Sequence, residues 1–402
     1  MVAEAAVLVM RPRDDLQPVS VAPRAYFSEA QVEKAEAFRS GQTRLYALRV
    51  ALELGLLILV VRRPPRVLSR DWRRPVLAGA AVAAGLSVAL SLAGLPLRAL
   101  ARERAKDVGL VTQDWLGYAG DVAKGLGIEI VLTGAGGALL VFGMRRFGRA
   151  WWAPGAAVVT AFGVAMTYAS PILLDPLFND FKPLPAGPAR TAVIELADRA
   201  GVEVGEVYEM DASRRTTAAN AYVAGLGRTK RVVLFDNLLR DFEPEEVRLV
   251  VAHELAHVQH RDVPRGLLFL AIVAPFGMLA VARLGERLAP PRSLGGAAAL
   301  PGTVLAISLL VPAVGAISNQ LSRAVEARAD RTSLALTGEP EALIGFQRRI
   351  AIQNVSDPDP PAAVHLLLGT HPTTMQRIGL ALAYERRFSR DAQGAAGPPG
   401  GS

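Results

Sequence analysis

Six apolar segments, each close to or beyond the length of a bilayer crossing, constrain the fold of this chain more than any other feature. A transmembrane helix needs about 20 consecutive, mainly apolar residues. The chain is 51% hydrophobic and 20% charged, so its apolar residues must be concentrated in such segments. In lipid, helices satisfy their own backbone hydrogen bonds. We therefore predict a mainly α, polytopic helical membrane protein of about six spans: 45–61, 75–97, 116–143, 151–174, 264–284 and 297–318.

The third segment contains three ionisable residues, Asp121, Lys124 and Glu129. Burying such groups in a span is costly, so these side chains could face the bundle interior or a watery cavity. Alternatively, residues 116–126 are an interfacial lead-in and the span begins near Gly127. This second interpretation explains Asp121 and Lys124 as well as the first does, and the sequence does not decide between the two.

Residues 182–262 mix polar and apolar residues and indicate a water-soluble α/β part. The pattern predicts a helix over 187–200 and a helix that starts at Pro244, with acidic residues around its first turn. The sequence Gly-Arg-Thr-Lys between two apolar runs predicts a hairpin turn. The predicted strands are 204–210, 220–226 and 231–236.

The sequence His-Glu-Leu-Ala-His at 253–257 is the strongest chemical signal in the chain. Residues four apart on a helix share a face, so His253 and His257 can bind one metal ion. Glu254 lies about 100° round the helix, beside the metal, where a general base for water belongs. The chain has no cysteine, so any metal site must use His, Asp or Glu. The alternative is two surface histidines on an ordinary helix.

A third ligand has to come from elsewhere in the chain. The extended motif HExxHxxGxxH is excluded, because the positions that need Gly and His are His260 and Val263. The candidate is Glu326, which follows the last span, with Asp330 one turn later on the same face. Such a second acid can accept the N–H of a ligand histidine and fix its tautomer. On its own, ExxxD is usually a solvated helix face.

Seven motifs, in the same order, resemble the type I CAAX prenyl protease family of integral-membrane zinc metalloproteases, to which HtpX is related. The resemblance covers about residues 27 to 385, and we interpret the chain as a bacterial member. The motifs are FSEAQVEKAEAF, WLGYAGDVAKG, PLFNDFKPLP, NAYVAGLGRTKRVVLFDNLL, HELAHVQH, NQLSRAVEARAD and HPTTMQRI.

The resemblance implies a helical membrane barrel around a water-filled chamber, closed at one end by a gluzincin-like α+β zinc protease domain. It implies one zinc ion per chain, because His253, His257 and Glu326 match the family's zinc ligands. By the same comparison, Glu254 matches the catalytic glutamate, and Asp330 matches the acid that supports a ligand histidine.

The resemblance also implies residues that bind substrate. Asn220, Ala221 and Tyr222 match an edge strand that binds the substrate backbone, and an exposed edge beside the metal suits strand addition. Asn220 could instead be a turn or strand-end residue. His371 and Arg377 match a pattern near the active site, where they could stabilise an oxyanion or hold a carboxylate. The alternatives are a helix-start histidine and a surface salt bridge.

Two other histidines have weaker interpretations. His260 recurs in the family, and we expect it to pack or to support a ligand. No functional argument applies to His365.

The predicted function is a membrane-embedded zinc metalloendopeptidase that cleaves membrane-associated polypeptides, either of the CAAX type or misfolded membrane proteins. Both ligand helices adjoin spans, so the metal would lie near the interface and favour tethered substrates. The expected partners are membrane lipid and a peptide substrate, with no nucleic acid, since the net charge of +8 comes largely from arginines in loops that flank spans. The alternatives are a catalytically idle membrane sensor or scaffold with a protease fold, and a transporter.

The side of the membrane on which the protease part lies is a separate question. Connections 62–74 and 144–150, on the far face, hold six and three basic residues, and 98–115, on the near face, holds four. The positive-inside rule thus leans against a cytoplasmic active site, whereas the family implies one. We expect the bacterial cell membrane, with the protease domain on the cytoplasmic side.

These observations predict a succession of six regions along the chain. Residues 1–24 lack periodicity and indicate a loose tail, and a helix is expected from Ser28. The predicted regions are a tail and amphipathic helix (1–42), a four-span membrane domain (43–181), a protease domain with the HExxH helix (182–263), two further spans (264–318), the third-ligand helix and C-terminal protease part (319–388) and a disordered tail (389–402).

Overall fold

Long helices dominate the computed structural model, which describes residues 1–13, 16–68, 70, 72–225, 227, 230–290 and 293–395, with side chains described to residue 388. The six longest helices that form the bundle are α2 (Glu29–Arg62), α3 (Pro75–Asp107), α4 (Trp115–Phe147), α5 (Trp152–Leu173), α9 (Asp262–Leu288) and α10 (Leu300–Thr337). The prediction of a polytopic helical membrane protein is confirmed.

Five of these helices, α3, α4, α5, α9 and α10, are long and apolar enough to cross a membrane. The first predicted span, 45–61, lies in α2, which is not among the five in the described part of the chain. Two charges, Arg49 and Glu53, interrupt its apolar run. They form an ion pair of 3.3 Å and lie against Gly94 of α3. The pairing lets a helix with two internal charges lie along the bundle.

Helix α2 nevertheless runs the full height of the bundle. Near its start, Arg39 donates to the carbonyls of Asn354 and Val355, beside the soluble domain. Just beyond its end, Leu68 shares a cavity wall with the opposite loop at Gly295. The prediction that a helix starts at Ser28 is confirmed, because Ser28 and Gln31 form a reciprocal capping box at the N-terminus of α2.

The ionisable residues of the third segment separate into two groups. Asp121 lies 3.1 Å from Arg215 of the soluble domain, and Lys124 donates to the carbonyl of Leu177 over 2.7 Å. Both therefore lie at the end of α4 nearest the soluble domain, as an interfacial lead-in would. Glu129 lies deeper and accepts hydrogen bonds from two serines of α3, Ser87 and Ser91. Its charge thus faces the neighbouring helix.

The prediction of a loose tail over residues 1–24 is wrong for its first part. Residues Val2–Met10 form helix α1, whose buried face includes Ala3 and Val7. This face packs on Phe269 and Val273 of α9 and on apolar residues of α10. A short apolar run with no cap signal gives no periodicity in the sequence, but the groove between two spans stabilises it as a helix.

The soluble domain is built on a small mixed sheet. Its order is β1-β2-β4-β3, with the β2–β4 pair parallel and the two outer pairs antiparallel. Strand β1 was not predicted, whereas the other three lie inside the predicted runs. The bounds are β1 Phe181–Pro183, β2 Glu206–Met210, β3 Ala221–Ala224 and β4 Arg231–Phe235. The proposed turn includes residues 228 and 229, which lie outside the described residues.

Helices cover the sheet and join the two soluble stretches into one unit. Helix α8 packs against β3 and α6, and the same apolar core includes Phe346 of α11. The stretches before and after the last two spans therefore share a core. The helices are α6 (Pro188–Arg199), α7 (Asp236–Asp241), α8 (Pro244–Gln259), α11 (Pro340–Gln353), α12 (Ala362–Leu368) and α13 (Thr374–Ala395).

Several predicted boundaries fall inside continuous helices. The boundaries at 42 and 318 lie within α2 and α10, because an amphipathic or ligand-bearing stretch continues a span without a break. The disordered tail was predicted from residue 389, yet α13 continues to Ala395. The helix-breaking Gly and Pro residues begin only beyond it, and residues 396–402 lie outside the described chain.

Close packing of α3 on α4 depends on a glycine. A Cβ at Gly137 would lie 2.5 Å from the carbonyl oxygen of Gly79 and would also meet Ala83. Its neighbour Gly136 is exposed and has nothing within 4 Å of its Cβ position. Small residues at such contacts let membrane helices approach closely.

We predict that Gly137→Ala destabilises the bundle by roughly 1–3 kcal/mol, because overpacking forces the backbones apart. Gly136→Ala, the matched control, should be neutral or slightly stabilising, since alanine is the better helix former. Thermal denaturation in one detergent compares the two. Equal midpoints would show that this contact does not set the helix spacing.

Candidate active site

Three side chains from two helices bring their metal-binding atoms together. His253 and His257 of α8 have their Nε2 atoms 3.2 Å apart. Glu326 of α10 lies 3.1 Å from His253 Nε2 and 3.6 Å from His257 Nε2. One ligand atom from each residue lies within 4.8 Å of the others. The structure thus brings together the three predicted ligands, which are far apart in sequence.

Two acids, the fully buried Asp330 and the partly buried Asp262, lie behind the histidines and face their Nδ1 atoms. His253 Nδ1 is 2.9 Å from Asp330 Oδ1, and His257 Nδ1 is 2.9 Å from Asp262 Oδ2. A carboxylate can only accept, so a neutral histidine that places its Nδ1–H toward the acid presents a lone pair at Nε2. Two lone pairs and the carboxylate of Glu326 then face one another. Two imidazole nitrogens and a carboxylate at these distances could share one cation, so these residues fit a divalent metal.

The sequence analysis did not identify Asp262 as a partner of His257. Between α8 and α9, Arg261 adopts a left-handed conformation with φ 55°, which is uncommon for a residue other than glycine. This sharp turn brings Asp262, at the start of α9, back to His257. Asp262 also pairs with Arg328 of α10. The only sequence signal is an acid five residues after the second histidine, and its geometry depends on the turn.

Arg377 lies behind the ligands, where it supports Asp330. Its Nε donates to Asp330 Oδ2 over 2.8 Å, and a second guanidinium nitrogen reaches Oδ1. When the Gln347 amide is placed in its flipped orientation, its oxygen accepts from this guanidinium over 3.1 Å. Asp330 is fully buried, so the predicted alternative of a surface salt bridge is wrong. With most of its donors engaged, Arg377 acts on the ligand His253 through Asp330.

Glu254 faces a cavity of about 520 Å³ beside the ligands. The wall includes Asn220, His371 and Arg377, together with apolar residues of α8 and α11. Burial raises the pKa of the Glu254 carboxyl above its ordinary value, although the two neighbouring histidines oppose the shift. A carboxyl group beside the ligands, open to a cavity and readily protonated, can take up a proton and release it.

Strand β3 forms one edge of the sheet next to this cavity. In the described chain it pairs only with β4, so its outer backbone groups are available to an extended peptide. Asn220, just before the strand, is exposed and lines the cavity. The side chain of Ala221 is buried in the core, and the Tyr222 hydroxyl donates to Asp175 over 3.0 Å. These two residues can therefore contribute only backbone groups.

The remaining histidines differ in their relation to the site. His371 precedes α13, and its Nε2 lies 3.4 Å from Glu326 Oε2. Its side chain is 57% exposed, so it is accessible to a substrate. His260 bonds to Thr332 of α10, over 2.9 Å, and so helps to join the two ligand helices. His365 pairs with the carbonyl oxygen of His371 over 2.9 Å and holds that loop.

Two family models together match almost the whole chain. The model described as peptidase family M48 matches residues 183–385. The model described as the CAAX prenyl protease N-terminal region, with five membrane helices, matches residues 15–180. The chain belongs to peptidase family M48. It is therefore a membrane metalloprotease related to CAAX prenyl proteases and HtpX, and the expected resemblance is confirmed.

Individual relatives agree with this assignment. An uncharacterized metalloprotease of Bacillus subtilis, YhfN, is 31% identical over 300 residues, covering 73% of this chain and 70% of that protein. CAAX prenyl protease 1 of Saccharomyces cerevisiae is 37% identical over 107 residues, which are 26% of this chain and 23% of the yeast protein. A protease HtpX homolog of Burkholderia thailandensis is 30% identical over 48% of this chain and 73% of its own length.

A solved structure agrees in fold. The crystal structure of S. mikatae Ste24p superposes with a TM-score of 0.79 and covers 94% of this chain and 98% of the Ste24p chain. The sequence identity is 19%, so this likeness concerns the fold alone.

We predict that Asp262→Asn weakens metal binding by roughly 10- to 100-fold, because the amide no longer fixes the His257 tautomer. Asp198→Asn, on the exposed face of α6, removes a similar charge far from the site and serves as the control. Competition with a fluorescent chelator measures both affinities. If the two variants bind metal equally well, Asp262 does not orient His257.

Proposed function

We propose that this M48 protein is a zinc endopeptidase that cleaves polypeptides held at the membrane surface. The observation that carries the proposal is the convergence of His253, His257 and Glu326 beside Glu254, on helices continuous with or adjacent to spans. Cleavage of a labelled peptide by the purified protein, with loss of activity in chelator and recovery on adding zinc, tests it. A catalytically idle sensor or scaffold would show neither.

Zinc suits this donor set better than the other common divalent ions. Two imidazoles and one carboxylate form the three-ligand set of catalytic zinc sites, whereas calcium and magnesium prefer oxygen ligands. The acids behind both histidines complete the support that such sites need. When bound, zinc supplies a Lewis acid that polarises the scissile carbonyl. We propose one ion per chain.

Glu254 is the residue that we assign to proton transfer. It would accept a proton from the attacking water and then donate it to the leaving amine. Its raised pKa favours this use, because a carboxylate of ordinary pKa holds a proton poorly near neutrality. His371 is the exposed donor nearest the ligands, and we assign it to the oxygen that becomes negative during attack. Arg377 is a positioning residue.

The substrate would bind as an additional strand on β3. Backbone hydrogen bonds to Ala221–Ala224 would hold it extended, and the exposed Asn220 would contact it next to the cavity. Because Ala221 and Tyr222 turn their side chains away, selectivity would come from the cavity wall. The cavity of about 520 Å³ is large enough for one or two side chains beside the scissile bond.

The spans place this chemistry near the bilayer. Helix α10 continues from its apolar part to Glu326 without interruption, and α9 begins three residues after α8 ends. We therefore propose substrates that are membrane-tethered, including lipidated C-terminal peptides and misfolded membrane proteins. We further propose that 182–263 and 319–388 form the protease domain on the cytoplasmic side of a bacterial cell membrane.

Glu254→Gln should lower kcat at least about 1,000-fold, because proton transfer is lost, while one zinc ion stays bound. Glu326→Ala should lose both zinc and activity, because it removes a ligand. Glu245→Gln, an exposed position on the same helix, is the matched control and should change neither. Metal analysis and a peptide assay on the same preparations separate these outcomes.

Two results would contradict these roles. If the Glu254→Gln variant no longer binds zinc, Glu254 is itself a zinc ligand. Stoichiometric zinc in Glu326→Ala would require a different third ligand, and His371, 3.4 Å from Glu326, would be the first to test.

A peptide with a prenyl group or a membrane anchor should be cut with a higher kcat/KM than its soluble counterpart of identical sequence. Each buried methylene of an anchor contributes about 0.8 kcal/mol toward holding the peptide at the interface. Both peptides are compared in the same nanodiscs, with Glu254→Gln as the blank. Equal values would indicate a general peptidase that is merely anchored.

A further inference from the structure

Two adjoining cavities lie at the end of the bundle opposite the protease domain. Their volumes are about 620 and 310 Å³, and both include Pro290, Ser293 and Leu294 in their walls. The loop between α9 and α10 therefore forms part of the wall of both cavities. The catalytic residues lie at the other end of α10, where Glu326 is about 40 Å away along a helix of 1.5 Å rise per residue.

The larger cavity carries positive charge. Three exposed arginines, Arg70, Arg73 and Arg145, lie in its wall, and Arg70 stacks on Trp72 with 5.5 Å to the ring centroid. No carboxylate lines this cavity among the described residues, and Asp71 lies outside them. Arg145 also donates to the carbonyl of Gly295 over 3.4 Å. Three arginines in one cavity wall offer the donors that a phosphate group prefers.

The smaller cavity holds a buried donor without an acceptor. Trp151 is 3% exposed, lines this cavity, and its indole N–H has no hydrogen-bond partner in the described structure. An unpaired donor at such a depth is costly, so the cavity suits an oxygen-bearing ligand. Met144 and Ala282 lie beside Trp151, and the wall also contains one carboxylate, Glu286, whose charge Arg149 faces at 3.9 Å.

Both cavities lie where the spans end. The connections that form them join α2 to α3, α4 to α5 and α9 to α10. Tryptophan and arginine at this level are typical of the membrane–water interface. Unpaired positive charge in the larger cavity and a buried donor in the smaller one therefore meet at the ends of the spans.

We propose that these cavities form a binding site for one anionic phospholipid. Its phosphate would pair with Arg70, Arg73 and Arg145, and a glycerol or ester oxygen would accept the N–H of Trp151. Basic pockets between spans bind such headgroups elsewhere. The site also gives the arginines of this face a role other than setting orientation.

Native mass spectrometry in a neutral detergent tests the site, because the diffuse attraction of an anionic bilayer is absent there. The purified full chain is titrated with phosphatidylglycerol, with phosphatidylcholine as the neutral lipid. Arg70→Gln, Arg73→Gln and Arg145→Gln together should weaken phosphatidylglycerol binding roughly 100-fold. The matched control replaces Arg62, Arg63 and Arg66 by Gln, which removes the same charge from the end of α2 and the loop after it, outside both cavities.

Further arms separate the possible outcomes. Trp151→Phe keeps the ring but loses the N–H, and should also weaken binding. Peptide cleavage and melting temperature in detergent without added lipid should match those of the parent chain for both triple variants, which shows intact folding. Equal losses in the two triple variants, or none in either, would overturn the site. Displacement of the lipid by millimolar inorganic phosphate would also overturn it, because a small anion would then be the ligand.

Discussion

A carboxylate that is fully buried must have partners, and Asp330 finds them on two other helices. It accepts from Arg377 of α13 and lies against His253 of α8, while belonging to α10 itself. Removing one partner from a buried pair leaves an uncompensated charge, which costs roughly 3–5 kcal/mol. The relative positions of α8, α10 and α13 therefore depend on this group. The geometry of the candidate metal site depends on it in turn, because all three proposed ligands lie on α8 and α10.

Asp262 plays a similar part on the side of the candidate metal site that faces the membrane helices, where it joins α8, α9 and α10. Asp262 begins α9, touches His257 and pairs with Arg328 of α10. The first turn of a span is thus part of the support of a ligand histidine. Movement of α9 relative to α10 would alter the His257 ring directly. The membrane helices and the catalytic centre form one mechanical unit rather than an anchor and a separate enzyme.

Most of the fold and the ligand set could be predicted from local patterns. The spacing of His253 and His257 and the length of the apolar segments act through helix periodicity, which the sequence displays directly. Asp262 could not be predicted, because its place depends on the left-handed Arg261. The packing of α1 could not be predicted either, because the groove that holds it forms only once α9 and α10 have assembled. Arg377 was predicted near the active site. Its hydrogen bonds to Asp330 depend on how α13 packs against α10, which the sequence does not display.

The unbroken path of α10 has a geometric consequence. Glu326 stands eight residues beyond Ser318, where the apolar run ends, so the candidate metal site is about 12 Å farther along the helix. An extended chain advances about 3.3 Å per residue and must cover this height before it reaches β3. A bond closer than about four residues to its anchor could reach the centre only if the anchor rose from the bilayer. For the membrane-tethered substrates that we propose, the length of α10 beyond its apolar part would therefore set the minimum distance between anchor and cleaved bond.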